Sequence, residues 1–395
     1  MTFTLLHEKI QKAINDLGHT TPTPIQEKAI PKVLEGCDLQ ASAQTGTGKT
    51  AAFILPALNM LMQPTTGRGP RVLILVPTRE LAMQVANEAA KYSKHLPNIK
   101  TVCIYGGTPY PLQNRQLSKP YDILVATPGR LIDHLERGRI HLSRIQMLIL
   151  DEADRMLDMG FVEPVEHIAS LTAKTRQTLL FSATLKGNVL NLSRRLLKDP
   201  LEIRIEPSTE QQENIEQQIH TVDNIDHKYR LLHHLLNDQN LTQVLVFTAT
   251  KHQADQLADK LSVDGHPAGA LHGDMNQRQR TRTVAQLRKG ELRILVATDV
   301  AARGIDIPTI SHVINFDLPM SEEDYVHRIG RTGRAGATGT AISFAAHRDI
   351  RLVREIEKFT GKKMTPTAIP GMEPKFKPQI KPHKKSWGPP RRRFR

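Results

Sequence analysis

Two glycines, a lysine and a threonine at fixed spacing are the strongest chemical signal in the chain: Ala43-Gln44-Thr45-Gly46-Thr47-Gly48-Lys49-Thr50. The octapeptide follows the apolar run Leu39–Ala43 and opens an apolar, helix-length segment. In that setting the loop glycines let successive backbone N–H groups turn toward a triphosphate. Lys49 reaches the outer phosphates and the Thr50 hydroxyl ligates Mg²⁺. Ala43 replaces the first glycine of the strict pattern. Downstream, Leu148-Ile149-Leu150 ends in Asp151-Glu152-Ala153-Asp154. A carboxylate at the tip of a strand beside such a loop holds Mg²⁺, largely through water, and the next acid orients and deprotonates the attacking water. Alone, this acidic stretch reads as a solvated helix start. After the loop and the strand, it defines a Mg²⁺-dependent nucleoside triphosphatase.

Other strand ends repeat one design. Val72–Val76 leads into Pro77-Thr78-Arg79-Glu80, and Asp122–Ala126 leads into Thr127-Pro128-Gly129-Arg130. In each, a threonine caps a helix whose free N–H groups attract phosphate, with an arginine beside it. On a rim already carrying a triphosphate, two such sites point to a nucleic-acid backbone track. The second half offers Val296-Ala297-Thr298-Asp299 and, further on, His327-Arg328-Ile329-Gly330-Arg331-Thr332-Gly333-Arg334. No phosphate loop precedes these arginines. The economical reading sends Arg331 and Arg334 across to the triphosphate held by the first half, where finger arginines spread charge from the transferring phosphoryl group. The alternative is a basic loop serving nucleic acid only.

The elements that must position these residues alternate short apolar runs with helix-length segments. Leu39–Ala43, Val72–Val76, Thr101–Tyr105, Asp122–Ala126, Gln146–Leu150 and Thr178–Ser182 are expected strands of a first α/β domain over residues 1–206. A polar connector at 207–216 precedes a second domain at 217–362, with strands at Val244–Thr248, Arg293–Ala297, Ser311–Asn315 and Thr340–Phe344. Continuous apolarity with long connections predicts mainly parallel sheets with helices on both faces. Residues 363–395, rich in Pro, Lys and Arg, are expected to form a disordered basic tail. Lys and Arg number 54 against 40 acids, a net charge of +14. The stretch 373–395 supplies +8 of it, and Phe376, Trp387 and Phe394 among those cations suit loose RNA contact. No apolar run approaches the ~18–20 residues of a membrane span, and no secretory signal is visible. The two cysteines, Cys37 and Cys103, have no paired spacing. That spacing argues against both a disulfide scaffold and a zinc module, and a cytoplasmic protein is the expectation.

With these motifs in this order, the chain resembles the DEAD-box RNA helicases of superfamily 2 over roughly residues 3–350, and within them the bacterial RhlE and SrmB branch. The resemblance implies two tandem RecA-like domains closing on ATP and single-stranded RNA. It assigns Phe3, Pro24 and Gln26 to adenine, Gln44, Thr45, Gly46, Thr47, Gly48, Lys49 and Thr50 to the phosphates, and Asp306 to the nucleotide. Thr50 and Asp151 would hold Mg²⁺, with Lys49, Asp151, Glu152, Arg331 and Arg334 catalytic. Asp154, Ser182, Thr184 and His327 would couple hydrolysis to the interdomain seam. RNA would lie on Pro77, Thr78, Arg79, Gly106, Gly107, Thr127, Pro128, Gly129 and Arg130 of the first domain. Thr248, Gly273, Gln277, Arg280 and Thr298 would complete its path in the second. Two departures, His19 for Phe or Tyr after Gly18 and Leu287 for a common Phe, are expected to touch packing only. The implied activity is ATP-dependent separation of short RNA duplexes by a monomer with low sequence specificity, in ribosome assembly or RNA turnover, on pre-ribosomal particles or with RNA-decay proteins. The alternatives are an ATP-gated RNA clamp with little unwinding and a DNA-directed translocase. Gln26 and the compact domains speak against the latter.

Overall fold

A computed structural model describes residues 2–43, 46–67, 69–205, 215–238, 240–302, 307, 309–333 and 338–375. Among the predicted site residues, Gln44, Thr45, Asp306 and Arg334 lie outside this set.

Seven strands form the first sheet: β1 (Leu39–Ser42), β2 (Val72–Leu75), β3 (Thr101–Ile104), β4 (Ile123–Ala126), β5 (Met147–Leu150), β6 (Gln177–Ser182) and β7 (Leu201–Arg204). Seven more form the second: β8 (Ile215–Val222), β9 (Val244–Phe247), β10 (Ala268–Leu271), β11 (Ile294–Ala297), β12 (His312–Asn315), β13 (Gly339–Ala346) and β14 (Thr365–Pro366). The strand orders are β3-β4-β2-β5-β6-β1-β7 and β10-β11-β9-β12-β13-β8-β14. Adding seven to each index of the first order gives the second, so the two lobes share one topology. Neighbouring strands run parallel, as in β2 against β5 and β9 against β12.

Both faces of each sheet are covered. Val72 and Ile74 of β2 join one apolar cluster while Leu73 and Leu75 join another on the opposite face. In β9, Val244 and Val246 separate from Leu245 and Phe247 in the same way. Successive strand side chains point to opposite faces, so a strand buried on both sides must be apolar throughout. That requirement is what made the central strands readable.

Two boundaries move. Ile215 and Glu216, expected in the connector, begin β8 beside β13. Residues 363–375, expected with the tail, belong to the second lobe: β14 pairs with β8 as β7 pairs with β1. Ile369 and Met372 pack on the lobe's core, and the Met372 carbonyl lies 2.9 Å from His227 Nε2. The seventh edge strand needs those residues, which explains why order extends past Lys362. Among the described residues, no helix is long and apolar enough to cross a membrane. Both thiols are free, and burial pushes Cys103 up to about 12.

Candidate nucleotide site and interlobe groove

Because every strand of a parallel sheet ends on the same rim, the loops after β1, β2, β4, β5 and β6 are neighbours. After β1, Gly46 and Gly48 take left-handed φ values of +86° and +89°. A side chain at Gly48 would stand 2.5 Å from Gln26 Nε2, so the close approach of Gln26 requires glycine there. Gln26 spans two elements: Nε2 donates to the Gly48 carbonyl at 3.2 Å, and Oε1 accepts from Thr23 N at 3.0 Å. Lys49 opens the helix Lys49–Leu61, is 6% exposed, and donates from Nζ to the Ala43 carbonyl at 2.8 Å.

Asp151 and Glu152 follow β5, both buried. Glu152 adopts φ +53°, ψ +50°, a left-handed conformation costing a non-glycine residue roughly 1–3 kcal/mol and characteristic of functional sites. Burial pushes the Asp151 carboxyl up to about 7 against the pull of Lys49. Burial also acts to raise Glu152, but Arg155, Lys49 and Arg331 outweigh it and hold this carboxyl below its ordinary value. Arg155 Nη1 donates to Glu152 Oε2 at 2.6 Å. Asp154 Oδ2 accepts from the Ala183 and Thr184 amides at 2.9 and 3.2 Å, and Ser182 Oγ accepts from Thr184 N at 3.3 Å. The loop after β6 is therefore tied to the loop after β5.

Arg331, from the second lobe, enters this site. With Lys49, Thr50, Asp151 and Glu152 it walls a cleft of about 610 Å³. Its approach is fixed by Arg328 one turn earlier. Arg328 grips Asp299 through Nε to Oδ1 at 2.6 Å and Nη2 to Oδ2 at 2.7 Å, and donates to Asn315 Oδ1 at 3.1 Å. His327, Arg328 and Arg331 share a small hollow against Phe247 and Asp324.

The far end of the cleft holds residues the sequence reading passed over. His19 lines it, correcting its assignment to packing alone, together with Thr20 and Thr21. Leu81, Gln84, Glu88 and Tyr92 form the facing wall. Their spacing marks one face of the helix Arg79–Tyr92, a signal present in the sequence. Tyr92 Oη meets His19 Nδ1 at 3.2 Å. Phe3 and Pro24, expected at adenine, are not among the residues lining the cleft: Phe3 packs on the first core, and Pro24 opens the helix Pro24–Leu34 that carries Gln26. Leu287 is buried in the second lobe's core, as expected for packing.

A second opening, about 310 Å³, runs between the lobes. The first lobe contributes Pro77, Thr78, Arg79, Gly106, Thr127, Gly129 and Arg130, and the second contributes Gly273 and Arg280. Arg79 lies over the Gly106-Gly107 backbone, where added side chains would collide with its guanidinium. Burial lowers the Arg79 pKa, and Arg280 and Arg130 push it the same way against Glu80. Three guanidiniums thus converge on one groove with a single carboxylate among them, an arrangement that attracts a polyanion. Gln277, at the start of the helix Gln277–Arg288, has no hydrogen-bond partner on either amide atom among the described residues. Pro128, Thr248 and Thr298 do not line the groove: Pro128 opens the helix Pro128–Glu136, and Thr248 is fully buried.

A parallel-sheet fold with a phosphate loop after its first strand, a carboxylate pair after a central one and an arginine from a second lobe of the same topology defines a two-lobed P-loop nucleoside triphosphatase. Residues 23–192 match the DEAD/DEAH box helicase family and residues 227–336 the helicase conserved C-terminal domain. The chain is 45% identical over 373 residues to the ATP-dependent RNA helicase SrmB of Escherichia coli, covering 94% of this chain and 84% of that protein. It is 44% identical over 368 residues to the ATP-dependent RNA helicase DeaD of Mycobacterium tuberculosis, covering 93% of this chain but only 64% of that longer one. The structure of Saccharomyces cerevisiae Dbp5 bound to RNA and ADP BeF3 superposes with a TM-score of 0.83 at 32% identity, over 92% of this chain and 94% of that one. A Dbp5 variant bound to Nup159, Gle1, IP6 and ADP gives 0.63 at 30% identity, over 94% and 96%. The chain belongs to the DEAD-box helicase family, and its lobes are tandem RecA-like domains.

Proposed function

We propose that this protein is an ATP-dependent RNA helicase that grips single-stranded RNA in the interlobe groove and locally separates short duplexes. One observation carries the reading: Arg331 of the second lobe stands in the same cleft as Lys49, Asp151 and Glu152 of the first. Occupancy of that cleft then sets whether the groove beside it is closed. The stronger likeness to Dbp5 holding RNA and ADP BeF3 supports a closed arrangement.

In the proposed mechanism Gln26 and the His19–Tyr92 wall take the base of ATP, and Lys49 takes its outer phosphates. Glu152 accepts the proton of the attacking water, and Arg331 spreads the charge of the transferring phosphoryl group, a contribution of roughly 10³–10⁵ in rate. Mg²⁺ fits this site. Asp151 is a buried carboxylate whose pKa is raised to about 7 without a cation. Among the described residues no group of three or more His, Cys, Asp or Glu side chains is placed to hold a metal ion; Thr50 and Asp151 would hold Mg²⁺, largely through water. When bound, it neutralises phosphate charge. Asp154, holding the loop after β6, links the state of the cleft to the seam.

Arg79, Arg130 and Arg280 grip the ribose-phosphate chain, with Gln277 a further polar contact. A strand bent by that grip cannot remain stacked. Opening three or four steps at about 1.4 kcal/mol each needs ~4–6 kcal/mol, within reach of closure. Both sites are completed by one chain, so the reading needs no second copy. The likeness to the ATP-dependent RNA helicase SrmB supports RNA as the substrate. Strand release from a short RNA duplex, measured with ATP for the unsubstituted chain and for Glu152→Gln, tests the activity. Release should depend on ATP and fall in the variant. ATP-dependent RNA retention without strand release would make the protein a clamp, and equal stimulation by matched DNA would remove RNA as its substrate.

A further inference from the structure

Tyr110 lies beside the groove, and no motif singles it out. It is the first residue of the helix Tyr110–Leu117, and its ring carries two guanidiniums, Arg130 and Arg137, each 4.4 Å from the centroid. Its hydroxyl donates to Asp133 Oδ2 at 2.9 Å, and that carboxylate lies 3.6 Å from Arg130 Nε. Arg130 Nη1 is occupied as well, donating to the Thr108 carbonyl at 2.8 Å and to Gln113 Oε1 at 3.0 Å. Gln113 is 1% exposed and is itself fixed, donating from Nε2 to the Tyr105 carbonyl at 2.8 Å. Among the described residues Arg130 Nη2 has no protein partner, and Arg130 forms part of the groove wall.

This arrangement answers a physical problem. Arg79 and Arg280 face the same groove, so Arg130 is held beside like charges and would swing toward solvent if unrestrained. An aromatic face, a backbone carbonyl and an amide oxygen attract the guanidinium without neutralising it. A carboxylate at hydrogen-bond distance would compete with an incoming phosphate. Asp133, at 3.6 Å from Arg130, is instead engaged by the tyrosine hydroxyl.

We propose that Tyr110 is a positioning residue. Its ring holds Arg130 in one pose toward the groove, with Arg137 on the same ring, so that the Arg130 guanidinium is pre-set for a phosphate. Pre-setting an arginine removes the rotamer entropy that phosphate binding would otherwise cost. The proposal rests on the groove being the RNA path, and the test separates the two ideas.

The experiment measures ATPase rate against oligouridylate concentration for the full chain and for Tyr110→Leu, Tyr110→Phe and Arg130→Ala. Tyr110→Leu should raise the RNA concentration for half-maximal rate about 3- to 10-fold, the worth of one cation–π contact, while kcat at saturating RNA and the ATP half-saturation stay within about twofold. Tyr110→Phe, which keeps the ring but releases Asp133 from the hydroxyl, should restore most of the RNA half-saturation lost in Tyr110→Leu. An unchanged half-saturation in Tyr110→Leu with a raised one in Arg130→Ala would overturn the positioning role and leave the groove intact. A Phe variant as weak as the Leu variant would overturn the role of the ring face. If Arg130→Ala itself leaves RNA half-saturation unchanged, the groove reading falls and this proposal with it.

Discussion

Arg280 Nε and Glu80 Oε1 meet at 2.7 Å across the boundary between the lobes, with side chains only 8% and 12% exposed. Arg280 is also held by the His272 carbonyl at 3.0 Å, so the pair is anchored on the second lobe and reaches the first through Glu80 alone. Two electrostatic effects oppose one another here. As an acid in a groove of arginines, Glu80 should repel RNA; as the partner of Arg280, it should hold the lobes together. Breaking one side of a dry ion pair costs about 2–5 kcal/mol, more than a screened repulsion returns. Glu80→Gln is therefore expected to weaken RNA-stimulated ATPase, raising RNA half-saturation on the order of tenfold or more. Interlobe distance by fluorescence transfer, with RNA and a nonhydrolysable ATP analogue, should show a smaller closed population. Tighter RNA binding in this variant would mean that charge in the groove outweighs the latch.

Lys49 and Glu152 share a cleft but should fail differently. Lys49→Ala removes the cation that reaches the outer phosphates, so ATP half-saturation and turnover should both suffer. Glu152→Gln keeps the shape of the side chain and its contact with Arg155 while losing the base. ATP and RNA binding should persist while turnover falls ~10²- to 10⁴-fold, the usual worth of a positioned general base. Equilibrium binding of a fluorescent ATP analogue beside steady-state hydrolysis separates the two.

Arg331→Ala tests the seam. Arg328 and its grip on Asp299 remain, so the second lobe should keep its fold. Loss of a finger arginine acts on the transition state, so kcat should drop by roughly 10³ or more, with a much smaller change in ATP affinity. A variant with normal kcat would assign Arg331 to RNA or to structure.

His19 occupies the far end of the nucleotide cleft, bonded to Tyr92. Because His19 lines the cleft away from Lys49 and Glu152, His19→Ala is expected to raise ATP half-saturation several-fold with kcat nearly kept. His19→Phe should restore it. Substituting Tyr92 with Phe, which removes only the hydroxyl, should have a smaller effect. Equal harm from His19→Phe and His19→Ala would make the ring nitrogens essential.

Much of this architecture was legible because burial on both faces leaves its mark. Val72–Leu75 and Ile294–Ala297 are apolar at every position, and the chemical residues follow directly at their ends. Of the strands that escaped, β8 (Ile215–Val222) lies between β13 and β14 but is polar at Glu216, Gln217 and Gln218, whereas β7 (Leu201–Arg204), β10 (Ala268–Leu271) and β14 (Thr365–Pro366) lie at sheet edges. There one side has no neighbouring strand, and polar or small residues are tolerated. β14 was hidden further by proline-rich composition, which reads as unstructured although Thr365 pairs with Gln218. Glu80 and Arg280 show a different limit. Their motifs were readable one by one, but their contact joins residues 200 positions apart and depends on how the lobes meet. His19 was misjudged because a polar ring at an aromatic position carries no local sign of what it faces.

Four histidines, three of them buried and His312 partly so, make a contribution to stability whose pH dependence has a definite sign. Burial lowers the pKa of His134, His220, His266 and His312 below the ordinary 6.5. Among the described residues His134 Nδ1, His220 Nε2 and His266 Nε2 have no hydrogen-bond partner, so protonation would bury an N–H without an acceptor. In the unfolded chain these rings gain protons as pH falls through 6.5, while in the folded chain they resist until lower pH. At these rings the unfolded state then binds more protons, and their contribution to stability falls with pH in that window, opposed by the single proton that folded Asp151 takes up below about 7. Above pH 6.5 the four rings are neutral in both states and contribute no slope. The melting temperature should thus be nearly flat from neutral to mildly alkaline pH and decline below 6.5. Replacing His220, on β8 beside β13, with Gln should make that decline shallower by about one proton's worth of slope. A melting temperature that rises on acidification through 6.5 would contradict the assignment of these rings as neutral in the folded protein.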